Sequence, residues 1–127
     1  MKTSSAKAKG RRLQDEVAVK ILETYNESFR AYEIEREDAI TMPTLEQGDV
    51  KPAIMGETGT DIKLSPQAKK HIPFDIECKN QERLNLWESI KQTESNAEAG
   101  RTPLLIFKRN RSEVYCVLKF EDLLKLI

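Results

Sequence analysis

The sequence carries no excess charge of either sign: 21 basic and 21 acidic side chains in 127 residues give a formal net charge of zero. A protein that coats nucleic acid by bulk electrostatics needs a positive surplus, so that class is disfavoured, whereas an enzyme with local basic patches around an acidic centre is not. Long apolar runs are missing too. No stretch approaches the roughly 20 residues needed to cross a bilayer, which predicts no membrane partner. The basic, Ser- and Ala-containing start, Met1 to Arg12, is not followed by an apolar segment and does not read as a secretion signal. Cysteine is sparse. Cys78 and Cys116 stand in separate strand-like runs without a CxxC pair or a Cys/His cluster, which argues against zinc. Both thiols are expected to be reduced, in a cytoplasmic protein. Histidine and tryptophan occur once each. His71, after Lys69-Lys70, reads as an exposed basic neighbour, not a general base. Trp87 reads as a core or interface residue before a base-stacking one. No internal repeat is present.

What is there suits one folded domain with one modest core: 39 % apolar and 33 % charged residues, too apolar for general disorder. Residues 1–10 are expected as a disordered basic tail, with a single domain over 11–127. A helix is predicted from Arg11 to Tyr25, because Leu13, Val17, Ala18, Ile21, Leu22 and Tyr25 recur at three- and four-residue steps. Residues 26–47 are charged and ambiguous, with a possible helix over Ser28 to Asp38. Gly48 to Ile54 and Thr60 to Leu64 read as short strands around a glycine loop, and Ser65-Pro66 as a helix start. Ile72 to Lys79 is the clearest strand. Leu84 to Ala99 reads as a helix stopped by Gly100. Two strands, Leu104 to Lys108 and Val114 to Lys119, flank a turn, and a short helix over Phe120 to Leu126 closes the chain. This order predicts an α/β fold, a mixed central β-sheet flanked by helices.

Side chains alternate across a strand with a period of two. In Phe74-Asp75-Ile76-Glu77-Cys78-Lys79 one face carries Phe74, Ile76 and Cys78, and the other Asp75, Glu77 and Lys79. In Asp61-Ile62-Lys63-Leu64 the same rule separates Asp61 and Lys63 from Ile62 and Leu64. If the strands are neighbours, Asp61 and Glu77 converge. Two converged carboxylates repel unless a cation sits between them, and magnesium is held by one or two carboxylates with water and phosphate oxygens. A lysine alongside can stabilise charge developing on a phosphate or help orient water. These residue types suit phosphodiester hydrolysis. The acid-x-Lys pattern alone is weak, since it also occurs at Asp49-Val50-Lys51, and a solvated charged strand face is the alternative.

The run Gly59-Thr60-Asp61-Ile62 followed by Ile76-Glu77-Cys78-Lys79-Asn80 resembles the PD-(D/E)XK nuclease pattern. The version is similar to phage and archaeal Holliday-junction resolvase-like endonucleases. The likeness extends to Lys9-Gly10-Arg11-Arg12 before a helix bearing Glu16, to Trp87, Gln92, Asn96 and Gly100-Arg101-Thr102-Pro103, and to Lys108-Arg109-Asn110-Arg111. It implies a restriction-endonuclease-like fold and a metal-dependent endodeoxyribonuclease acting on branched or structured DNA, in a homodimer, in the host cytoplasm if phage-encoded. It implies Asp61, Glu77 and the Cys78 backbone carbonyl as ligands of Mg2+ or Mn2+, Lys79 as the catalytic lysine, and Glu16 and Gln92 as further members of the site. Thr60 stands where the pattern often has proline, and residues 26–47 fit it poorly. On the residues alone, Glu16 sits between Arg12 and Lys20 at four-residue spacing, which favours exposed intrahelical pairing, and only the resemblance draws it toward the site. Asn85, Ser89, Gln92 and Asn96 form a polar, uncharged stripe that suits contact with phosphates or the active centre, or ordinary exposure. Lys108, Arg109 and Arg111 form either a phosphate-contacting turn or a charged hairpin tip. Two alternatives stand beside the enzyme: a nuclease-like module that binds DNA without cutting it, and an interaction protein in which Asp61 and Glu77 lie far apart.

Overall fold

The computed structural model describes residues 3–35 and 44–127. A single helix, α1, spans Thr3–Glu35, about 50 Å at 1.5 Å per residue. It begins well before the expected start, so residues 3–10 are helical and not a tail. The helix formers of this stretch have no proline among them, and Lys9 is buried where it packs beside the sheet. Ser28 to Glu35 continue α1, while the remainder of the expected second helix, 36–38, lies outside the described residues. Leu13, Val17 and Ala18 form the buried stripe of α1, with Ile21, Leu22 and Tyr25 partly buried along it. Asn26 ties the helix to the following segment: its side chain donates to the Leu45 carbonyl and accepts from the Leu45 amide, both at 3.0 Å.

Two short strands, β1 (Val50–Pro52) and β2 (Ile62–Leu64), pair antiparallel. Then comes a one-turn helix, α2 (Pro66–Lys69), capped by Ser65, whose hydroxyl accepts from the Ala68 amide at 3.1 Å. The second sheet has the order β3-β4-β5, from β3 (Phe74–Asn80), β4 (Thr102–Lys108) and β5 (Tyr115–Val117). β3 and β4 run parallel, linked by α3 (Leu86–Asn96), and β5 returns antiparallel to β4. A short α4 (Phe120–Leu126) follows. The fold is therefore α/β with helices flanking the strands, as expected, although the strands fall into a pair and a mixed three-stranded sheet.

The face of the sheet that meets α1 carries Ile76, Cys78, Leu104 and Ile106, which join Ile62 and the α1 stripe in one apolar core. The opposite face meets α3 and carries Asp75, Glu77 and Leu105, all buried. The predicted alternation along β3 thus holds. Cys78 and Cys116 both pair with Ile106, two strand spacings apart at roughly 9.5 Å, too far for a disulfide, and both are free.

α3 ends at Asn96, earlier than expected, because Ala97 is extended; Gly100, at φ +83°, makes the turn into β4. Of its polar stripe only Ser89 is buried, with Asn85 and Gln92 exposed and Asn96 half-buried; the packing face is Ser89 with Thr93. Ser89 and Thr93 are buried and donate to the carbonyls of Asn85 and Ser89, one turn back. Hydroxyls satisfied in this way allow a small-residue face to lie on the sheet without unpaired donors.

Candidate active site

Of the three acid-x-Lys tripeptides, one is structural. The Asp49 carboxylate accepts from the Glu46 amide at 2.7 Å and the Ser65 hydroxyl at 2.6 Å, which hold it below the usual carboxylate range. It caps the 3-10 turn Gln47–Asp49 and is not available for chemistry.

Asp61 and Glu77 are brought together across the seam between the two sheets. The Asp61 amide donates to the Ile76 carbonyl at 3.0 Å, which lays the start of β2 alongside β3. The Asp61 Oδ2 accepts from the Cys78 amide at 2.8 Å, which fixes the carboxylate beside the peptide that follows Glu77. Glu77 is 2 % exposed. Its Oε1 accepts from Asn96 Nδ2, at the end of α3, at 2.9 Å. Burial pushes the Glu77 carboxyl up to about 7; Asp61's charge and a hydrogen bond between the two acids push the same way, and the Asn96 bond and Lys79's ammonium only partly oppose them. The neighbouring Cys78 thiol is pushed up as well, by burial first and then by both carboxylates. Lys79, half-buried, completes the pattern on the same strand face.

The arrangement is a buried glutamate beside a half-buried aspartate, with one lysine on the same strand face. Two carboxylates with room for water and phosphate oxygens are the donor set that magnesium takes, so the residues fit a hard divalent cation. Among the described residues no third His, Cys, Asp or Glu joins them. Glu16 has other partners: Lys20 at 2.8 Å, and the charge of Lys108, both of which lower its pKa. Gln92 is exposed on α3.

Asp75, two residues before Glu77, is buried and serves the scaffold. Its oxygens accept from Arg101 Nε at 2.6 Å and from the Glu98 amide at 2.8 Å. Arg101 Nη2 donates to the carbonyls of Ile72 at 2.6 Å and Phe74 at 3.0 Å. This clamp fixes the start of β3 and the end of α3 together, and so holds Asn96 against Glu77. The sequence hinted at it only through an Asp on the same face as Glu77.

The remaining sequence candidates are dispersed. Asn85 caps α3, accepting from the Glu88 amide at 3.1 Å, so its side chain is engaged locally. Asn96, half-buried at the end of α3, is engaged with Glu77. Lys108 is half-buried at the end of β4, and Arg109 and Arg111 are exposed on the following turn. Arg111 has φ 62°, a left-handed conformation. Trp87 is 80 % exposed, which removes the core half of its core-or-interface expectation. His71 is half-buried, its ring 5.5 Å from that of Tyr25. Among the described residues no helix is long and apolar enough to cross a membrane.

Comparison with known proteins places this geometry in a family. No curated protein and no solved structure matches the chain. Residues 5–127 match the family described as "Phage putative PDDEXK endonuclease". The match takes in Asp61, Glu77 and Lys79 together with the helices and strands that carry them, and on that ground the chain belongs to this phage PD-(D/E)XK endonuclease family.

Proposed function

We propose that the protein is a magnesium- or manganese-dependent endodeoxyribonuclease that hydrolyses phosphodiester bonds in branched or otherwise structured DNA. The observation that carries this reading is the Asp61 carboxylate held by the Cys78 amide, next in the chain to buried Glu77, with Lys79 on the same strand face as Glu77. Acids so placed are costly to keep charged without a cation, and their separation is the point on which the interaction-protein alternative would stand.

Asp61, Glu77 and the Cys78 carbonyl would hold the metal. When bound, the ion polarises the scissile phosphate and lowers the pKa of the attacking water. The chain's own groups do the rest. Lys79 stabilises the negative charge that develops on the phosphate oxygens. Asn96 restrains the Glu77 carboxylate to one orientation, and the Cys78 amide restrains Asp61. Gln92 and Glu16 are proposed to orient substrate at the margins, and Lys108, Arg109, Arg111, Asn85 and Asn96 to contact the nucleic acid, Asn96 through its place at the centre.

A homodimer, located in the host cytoplasm, is part of the proposal. A four-way junction offers two symmetric scissile bonds, and closed pairs are the commonest assembly. Trp87 and Phe120, 80 % and 70 % exposed, border an apolar groove of about 330 Å³ between α3 and α4, a surface that suits a second copy. Sedimentation equilibrium would show a dimer, and Trp87→Glu a monomer.

The deciding experiment is cleavage of supercoiled plasmid and of a synthetic four-way junction, with magnesium or manganese and with chelator, beside Glu77→Ala and Lys79→Ala. Cutting should require the metal and both side chains. Equal cutting by wild type and variants would refute the proposal, and calorimetry showing no divalent-ion binding would favour a DNA-binding module without catalysis.

A further inference from the structure

The face of the sheet opposite the carboxylates holds a second polar feature. Lys9 lies on α1, is 7 % exposed, and its buried Nζ has no hydrogen-bond partner. The nearest carboxylate oxygen, Glu82 Oε1, is 3.8 Å away, beyond hydrogen-bond length. Beside it, Asn80 Nδ2 donates to the Lys9 carbonyl at 3.4 Å, which fixes the amide and leaves its Oδ1 buried and unpartnered. Buried polar groups are almost always satisfied, and a buried ammonium without an acceptor is the most costly exception. Both groups line one cavity of about 470 Å³, with Arg12, Glu16, Lys108 and Arg111 around it. Four cations therefore face Glu16, already engaged by Lys20 at 2.8 Å, and Glu82, which stands 3.8 Å from Lys9 at the margin. Such a lining repels a metal ion and attracts an oxyanion.

We infer that Lys9, Arg12, Lys108 and Arg111 form a phosphate-binding subsite, distinct from the carboxylate pair, that takes a backbone phosphate of the DNA strand being cut. The inference rests on the nuclease reading for the identity of its ligand. Its position suits that ligand. The cavity lies where the parallel strands β3 and β4 end, at Asn80 and Lys108, the edge at which open α/β sheets bind ligands. Asn80 is three residues beyond Glu77, roughly 10 Å along the strand. Phosphate oxygens would accept from the Lys9 ammonium, which has no hydrogen bond of its own, and a water bound to the phosphate would donate to Asn80 Oδ1.

Binding without cleavage tests this. The full chain is titrated, in chelator, into a fluorescein-labelled four-way junction, and anisotropy is followed from about 50 to about 200 mM salt, the range over which phosphate contacts are read. Lys9→Gln and Arg111→Gln should each weaken binding by about three- to tenfold, and each should lower the slope of log affinity against log salt by about one. Lys9→Arg should retain the slope. A separate arm measures the melting temperature of wild type and Lys9→Gln with inorganic phosphate at constant ionic strength. A wild-type shift that Lys9→Gln lacks, with junction affinity equal in both, would assign the pocket to free phosphate in place of the DNA backbone. Unchanged affinity and salt slope in Arg111→Gln and Lys9→Gln, with no phosphate shift, would overturn the subsite. Should Lys9→Gln fail to fold, Arg12→Gln, which lines the same cavity from an exposed position on α1, decides in its place by the same salt slope. Because no divalent ion is present, loss of this result and loss of metal-dependent cutting are separate findings.

Discussion

The sharpest prediction concerns the stability of the metal-free protein against pH. The Glu77 carboxyl is raised from 4.5 to about 7 by burial and by Asp61. The folded state therefore holds a proton that the unfolded state releases near 4.5. Stability from this group is fully present below about 4.5 and is lost as pH rises through about 7. At 1.36 kcal/mol for each pH unit, the full swing is about 3 kcal/mol, on the order of 10 °C in melting temperature for a chain of this size. The assay is thermal unfolding in chelator from about pH 5 to about pH 8.5, a window that spans the titration. Wild type should lose stability across it relative to Glu77→Gln, whose amide has no proton to release. Saturating manganese should reverse the wild-type trend, since the ion binds only the deprotonated pair. Parallel profiles for wild type and Glu77→Gln in chelator would show that Glu77 is not held protonated, and the electrostatic account of the site would fall.

Three other perturbations follow from the same contacts. Asn96→Ala removes a bond that lowers the Glu77 pKa, so metal binding should require a higher pH and weaken by about 1.5–3 kcal/mol, read by calorimetry across pH. Arg101→Met leaves Asp75 buried without its cation and should cost about 3–5 kcal/mol in denaturant unfolding; a loss under 1 kcal/mol would show that the clamp is dispensable. Arg111→Gly relieves a left-handed non-glycine residue, so stability should rise by up to about 1 kcal/mol while affinity for DNA falls, two readouts moving in opposite directions.

The parts of this molecule legible in the sequence are those governed by local geometry. Strand alternation put Glu77 and Lys79 on the face opposite Ile76 and Cys78, because the backbone dictates that period whatever surrounds it. Ser65-Pro66 read as a helix start for an equally local reason, a hydroxyl reaching a backbone amide three residues on. What was misread depends on distant partners. The early turns of α1 looked like a tail because nothing near Lys9 in the sequence shows that Asn80 and Glu82 will lie beside it. Which residues of α3 pack on the sheet was not legible, because Ser89 and Thr93 are polar, yet each hydroxyl is satisfied within the helix and so can be buried. Asp75 and Arg101 are 26 positions apart, and only the folded chain shows the acid to be structural.

The Asp61 side chain has a consequence of its own. One of its oxygens grips the amide of Cys78, on a strand from a different sheet, so the residue that would hold a cation also fastens the small β1–β2 ribbon to the rest of the molecule. Chemistry and assembly are thereby the same contact. A chain whose ribbon has come undone keeps every residue of the signature but no longer holds Asp61 beside Glu77, so the proposed centre would exist only while the ribbon is docked on β3.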